Sequence, residues 1–161
     1  MATAFSPQER ERIRESLLDA ALKSAASQGM RHATVDELAR EAGISKGAFY
    51  RFYQSKEHLF LSMLERTHEE MYGSAEKVLA ERTDLPLRER TMQAILEMFR
   101  VAETYNLIPF IREEVPLLLR RLPDDVVNAH YITDDERIKR LILKACLLYT
   151  SPSPRDSTSS R

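Results

Sequence analysis

Three helix-start signals at intervals of about ten residues dominate the first third of this chain. Thr34-Val35-Asp36-Glu37 is a capping box, in which the Thr34 hydroxyl and the Glu37 carboxylate each satisfy a backbone donor that a helix start leaves orphaned. Ser45 follows the Gly43-Ile44 turn, placed to accept a bond from a first-turn N–H, and Ser55 repeats the device. Such spacing leaves room for only short helices. It predicts one from Thr34 to Gly43, a second from Lys46 to about Phe52, and a long helix after Ser55. Two short helices joined by a tight glycine turn and braced by longer ones are the layout of a helix-turn-helix.

The flanking sequence is helical too. Ser6-Pro7 caps and starts a first helix, along which Ile13, Leu17, Ala20, Ala21 and Ser24 recur until Gln28-Gly29. After Ser55, the residues Leu59, Phe60, Met63, Leu64, Thr67, Met71, Ala75 and Val78 hold an apolar stripe over some 25 residues, a strut of about 38 Å. Met92, Ile95, Leu96, Phe99 and Ala102 mark a fifth helix, and Leu107 to Arg121 a sixth that Pro109 and Pro116 kink or divide. Leu122-Pro123-Asp124-Asp125 and Thr133-Asp134-Asp135-Glu136 are expected to start two further segments, the second with Ile138, Leu141 and Ile142 on one face. With only 4 Gly and 7 Pro and no strand-like alternation in the first two thirds, the chain is expected to be all-α.

Composition narrows the function classes less. Residues 1–56 carry nine Lys/Arg against seven Asp/Glu, too small an excess to decide on a polyanion. One cysteine, Cys146, cannot form an internal disulfide and suits a reducing compartment. No run approaches the roughly 18 apolar residues of a membrane span, and the start lacks a signal-peptide core, so a cytoplasmic protein without membrane contact is expected.

Gly43-Ile44-Ser45-Lys46-Gly47 also matches the nucleophile elbow of serine hydrolases. An elbow needs a strand before the serine, and here the preceding DELAREA is helical, so Ser45 is read as a cap and the chain as no enzyme. Helical spacing places Phe49 and Phe52 inward against Ile44, Leu38 and Ala39, and Lys46, Gly47 and Tyr50 on another face. Gly47 allows close approach to a duplex. Tyr50, Tyr53 and Lys56 supply hydroxyls and a cation for phosphates, and the helix starts at Thr34 and Ser45 offer N–H groups to the same anions.

On these residues, ATVDELAREAGISKGAFYRFYQSKEHLF resembles the DNA-binding signature of the TetR family of bacterial transcriptional regulators, most specifically from about Leu17 to Phe60. The resemblance implies an α-helical homodimer with an N-terminal helix-turn-helix and a variable C-terminal region that binds a small ligand and dimerises through its last two helices. It assigns Thr34, Lys46, Gly47, Tyr50 and Lys56 to the DNA surface, with Ser45 and Ala48 near base edges. Two positions depart from the family pattern: Ser24-Ala25 replaces two bulky apolar residues, and Phe52 stands where His is frequent.

The expected organisation is therefore a DNA-binding domain over residues 1–55, a ligand-binding and dimerisation bundle over 56–148, and a polar tail over 149–161 that is disordered and foreign to the family. The implied function is a ligand-responsive repressor of a palindromic double-stranded DNA operator; the alternative is a helical interaction module without DNA binding. Met92, Leu96, Phe99 and Phe110 are the candidate lining of an apolar effector cavity. No cofactor is implied, and His68-Glu69-Glu70-Met71-Tyr72 lacks the second His of a zinc motif, so no metal site is expected. His58 and His130 are read as ordinary surface or packing histidines. With a dimerisation helix expected to be missing, weak dimerisation and exposure of Leu141, Ile142 and Leu148 are also expected.

Overall fold

A computed structural model describes the backbone of residues 5–150 and the side chains of residues 5–147. Among these residues the chain forms eight helices and no strand: α1 (Pro7–Ser27), α2 (Val35–Glu41), α3 (Lys46–Phe49), α4 (Lys56–Glu81), α5 (Leu87–Thr104), α6 (Ile108–Glu113), α7 (Val115–Arg120) and α8 (Asp124–Thr150). None is long and apolar enough to cross a membrane.

The capping signals set the boundaries. Ser6 and Glu9 form a capping box on α1, and Thr34 and Glu37 form one on α2. Ser45 Oγ accepts from Ala48 N at 3.1 Å, and Ser55 caps α4. Gly29 and Gly43 end α1 and α2 with φ of 80° and 73°, left-handed backbone that glycine adopts without a Cβ clash. The helix α3 is one turn, shorter than the span expected to Phe52, although Tyr53 N still bonds Phe49 O.

The first core gathers Leu17 and Ala21 of α1, Met30, Leu38, Phe49, and Leu59, Phe60 and Met63 of α4. Its closing wall comes from far along the chain: Leu107, Phe110 and Leu118 belong to the same cluster. The core thus crosses residue 55. A smaller second core, Ala75, Leu79 and Ala94 with Val78, Met98, Leu141 and Ala145, joins the far half of α4 to α5 and α8. The α4 strut runs through both.

Three expectations for the C-terminal half fail. Pro109 and Pro116 do divide residues 107–121 into α6 and α7, each taking its proline in the first turn. Thr133-Asp134-Asp135-Glu136, however, starts no helix. Residues 124–150 form one helix, because the Thr133 hydroxyl turns back to Ala129 O at 3.0 Å and leaves the backbone ladder intact. The face expected to hold Ile138, Leu141 and Ile142 together is also split: Ile138 and Ile142 are exposed, as expected for Ile142, whereas Leu141 packs on the second core and His130, Asp134 and Arg137 face α4. Helix α8 also carries the backbone through Tyr149 and Thr150, where a disordered tail was expected to begin; residues 151–161 and the side chain of Leu148 lie outside the described residues.

The expected effector cavity is not assembled. The helix α5 turns its small residues Ala94 and Ala102 inward, which leaves Met92, Leu96 and Phe99 more than half exposed on the other side. Phe110 lies in the first core at 2% exposure, its ring stacked on Phe60 at 5.9 Å. Leu96 borders an open groove of about 550 Å³ between α4 and α5 whose walls include Lys77, Glu81, Arg82 and Arg100, and none of the other three lines it. That groove is charged, not apolar.

Candidate nucleic-acid interface

Thr34 before α2, Lys46 and Tyr50 at the two ends of α3, and Lys56 at the start of α4 come from three stretches of chain, yet they border one shallow groove of about 470 Å³ with Asp36, Gln54 and Ser55. Folding α2 against α3 across the Gly43 turn produces this convergence. Phe49, fully buried, pins α3 to the first core and forces the next residue outward. Tyr50 is consequently half exposed, with its ring edge-on to Phe49 at 5.4 Å.

Lys46 Nζ donates to Asp36 Oδ2 at 2.8 Å, and this bond to an exposed carboxylate raises the lysine pKa above its ordinary value. The cation is thereby oriented at the mouth of the groove while staying in solvent. Gly47 answers no internal need: a Cβ there would meet nothing nearer than Ser45 Oγ at 4.0 Å. The open space lies on the protein's outer surface, where a second molecule can approach the backbone closely. Ala48 is half-buried beside it.

Two expected contacts are engaged elsewhere. Lys56 Nζ donates to Met30 O at 2.9 Å and Ala33 O at 2.8 Å, tying the start of α4 to the loop between α1 and α2. It positions the groove wall, leaving one of its three donors for a phosphate. Tyr53 points away from the groove: its hydroxyl bonds Ser62 on α4, and burial raises its pKa. Its ring packs at 6.1 Å from Phe49. Phe52, at the position where His is frequent in the family, packs its ring against Phe5 at 6.0 Å.

Sequence reasoning missed Gln54, an exposed amide at the groove, and Asp36, the partner of Lys46. It also missed Glu114. This buried carboxylate at the α6–α7 junction accepts from Met30 N at 2.6 Å and Arg31 N at 3.3 Å, fastening the loop that precedes Thr34. Nothing local in the sequence separates Glu114 from its neighbour Glu113, which is exposed.

Ser45 performs the work of a cap, its Oγ holding Ala48 N. Ser45→Ala is expected to lower the unfolding free energy by about 1 kcal/mol in urea titrations. Labelling of Ser45 by a fluorophosphonate would contradict the capping role.

Comparison with known proteins bears on this geometry directly. The sequence profile of bacterial regulatory proteins of the tetR family matches residues 17–63, the stretch that builds α1 to α4 and the groove. Over residues 17–63 the chain carries a domain of the tetR-family N-terminal kind. It is 46% identical over 56 residues to the uncharacterized HTH-type transcriptional regulator YuxN of Bacillus subtilis, covering 35% of this chain and 18% of YuxN. It is 28% identical over 99 residues to the nucleoid occlusion factor SlmA of Aliivibrio fischeri, covering 62% of this chain and 49% of SlmA. The chain thus spans at most about half the length of these curated relatives. Among solved structures, a putative TetR-family regulator from Vibrio parahaemolyticus superposes with a TM-score of 0.60 at 25% identity, covering 89% of this chain and 76% of that one. A TetR-family regulator from Marinobacter aquaeolei shares the fold, with a TM-score of 0.57 at 20% identity over 88% of this chain and 71% of its own. The matched stretch contains α2 and α3, the two short helices that the Gly43 turn joins.

Proposed function

We propose that this chain is a ligand-responsive repressor that reads a two-fold DNA operator as a homodimer in the cytoplasm. Residues 1–55 serve as the reading unit and 56–148 as the effector and dimerisation unit. The observation that carries the reading is the convergence of Thr34, Lys46, Tyr50 and Gln54 around one exposed groove beside an open Gly47. A cation, a phenol and an amide beside a helix start with no side chain in the way suit phosphates and base edges together. Two such helices must be held about 34–36 Å apart to read both half-sites. The outward Ile138, Ile142 and Leu143 of α8 offer a second copy an apolar surface.

Effector control has a physical route in this fold. Glu114 links α6 and α7 to the loop ahead of Thr34, so a ligand that favours a different placement of these helices also disfavours the DNA-binding arrangement of α2. Only differential affinity for the two arrangements shifts the equilibrium.

The test is selection of duplexes from a random pool, followed by electrophoretic mobility shift. Lys46→Ala and Tyr50→Ala are each expected to weaken binding of the selected duplex roughly tenfold. Failure to select any duplex would instead favour a helical interaction module. The likeness to SlmA supports a second reading, in which the DNA-bound protein acts on something other than a promoter; a reporter fused to the selected site, unchanged on deletion of the gene, would favour it.

A further inference from the structure

We propose that His68 of α4 and His130 and Asp134 of α8 form a binding site for one divalent transition metal ion of the zinc, cobalt or nickel kind. Each offers a ligand atom, and the three atoms lie within 4.8 Å of one another. His130 and Asp134 are four residues apart on one helix, which places both side chains on the same face. His68 enters from the facing helix. Its Nδ1 lies 3.1 Å from the Asp134 carboxylate, and His130 Nε2 lies 3.6 Å from Asp134 Oδ2. Ligand atoms around a tetrahedral zinc, at 2.0–2.1 Å from the metal, stand about 3.4 Å from each other. The two separations to Asp134 therefore bracket the spacing that a metal requires, and the two imidazoles lie within 4.8 Å of each other.

The surroundings are those of a metal site in two further respects. His130 Nδ1 lies 3.3 Å from Glu65 Oε1, so that donation to this carboxylate leaves Nε2 with its lone pair toward Asp134. A carboxylate behind a ligating imidazole is the usual orienting device. The charge also balances: Glu65, Glu69 and Asp134 face the single guanidinium of Arg137, which bonds Glu69 at 2.8 Å and lies 3.6 Å from Asp134. A dication neutralises the surplus. Imidazole nitrogen with one carboxylate oxygen suits zinc, cobalt or nickel better than magnesium or calcium, which prefer all-oxygen sets. Three protein ligands leave a position for water.

Binding would staple α8 to the middle of α4, between the two cores. The direct experiment is equilibrium dialysis of the full chain, stripped with chelator, against Zn2+, together with the visible spectrum of the Co2+ form. Saturation at one ion per chain is expected, with a Co2+ spectrum of nitrogen and oxygen ligation. His130→Gln and Asp134→Asn should each weaken binding at least tenfold, and Glu65→Gln by roughly 10- to 100-fold through the lost orienting bond. Far-UV circular dichroism checks that the variants remain helical, and the wild-type spectrum stands independently of them. Absence of saturable uptake, unchanged affinity in both ligand variants, or thiolate charge-transfer bands from Cys146 would each overturn the site.

Discussion

Gly29→Ala is expected to destabilise the protein by about 2–5 kcal/mol in urea titrations followed by circular dichroism. Left-handed backbone at a non-glycine residue costs about 1–2 kcal/mol by itself. The added Cβ would also stand 2.2 Å from Glu114 Oε1 and 2.8 Å from its Cδ. That carboxylate cannot retreat without giving up Met30 N and Arg31 N, and a buried partner left unsatisfied costs about 1–3 kcal/mol. Glu114→Ala removes the obstacle and the acceptor together, with an expected cost near the upper end of that range. In the double variant the two losses should fall short of additivity, because both act on the same contact. A Gly29→Ala cost below about 0.5 kcal/mol would mean that the loop before α2 is not fastened by Glu114.

Phe110→Ala should cost about 3–5 kcal/mol, and Phe60→Ala a similar amount. Both rings are within 2% of full burial and stack on each other, so either truncation leaves a cavity at the junction of α4 with α6. For a chain of this size the corresponding fall in melting temperature is on the order of 10 °C. An effector-lining residue would behave differently, with little loss of stability and a change in ligand affinity. Phe99→Ala, at an exposed position, is the control and should leave the melting temperature within a few degrees. Equal effects of Phe99→Ala and Phe110→Ala would contradict the placement of these two side chains.

The N-terminal helices were legible because their signals are local. A Thr-x-x-Glu box, a glycine at positive φ and a serine before a helix act within four residues, and each fixes a boundary without help from the rest of the fold. The groove followed from those boundaries, since register alone puts Phe49 inside and Tyr50 outside. Lys56 and Tyr53 were harder to place. Whether a lysine ammonium or a tyrosine hydroxyl meets a phosphate or its own chain depends on where Met30, Ala33 and Ser62 end up.

The C-terminal half misled for a related reason. Amphipathic periodicity reports an apolar face but not which neighbour covers it. On α5 the alanines meet α4, so Met92, Ile95, Leu96 and Phe99 turn outward despite their stronger apolar pattern. On α8 the inward stripe is polar, held by Glu65 to His130, Asp134 to His68, Glu69 to Arg137 and Glu76 to Lys144. Residues 65 and 130 are remote in sequence, so no spacing rule linked them. The His130–Asp134 spacing on one helix was the available clue.

Amide chemical shifts of the uniformly labelled protein, followed while a selected duplex is added, test the DNA-binding surface most directly. Changes concentrated at Thr34 to Glu37, Ser45 to Tyr50 and Gln54, with weaker ones at Met30 and Ala33 behind Lys56, are the predicted result. Changes confined to α5 or α8, or none at all on a duplex that the protein demonstrably retains, would contradict the assignment of the α2–α3 groove as the nucleic-acid interface.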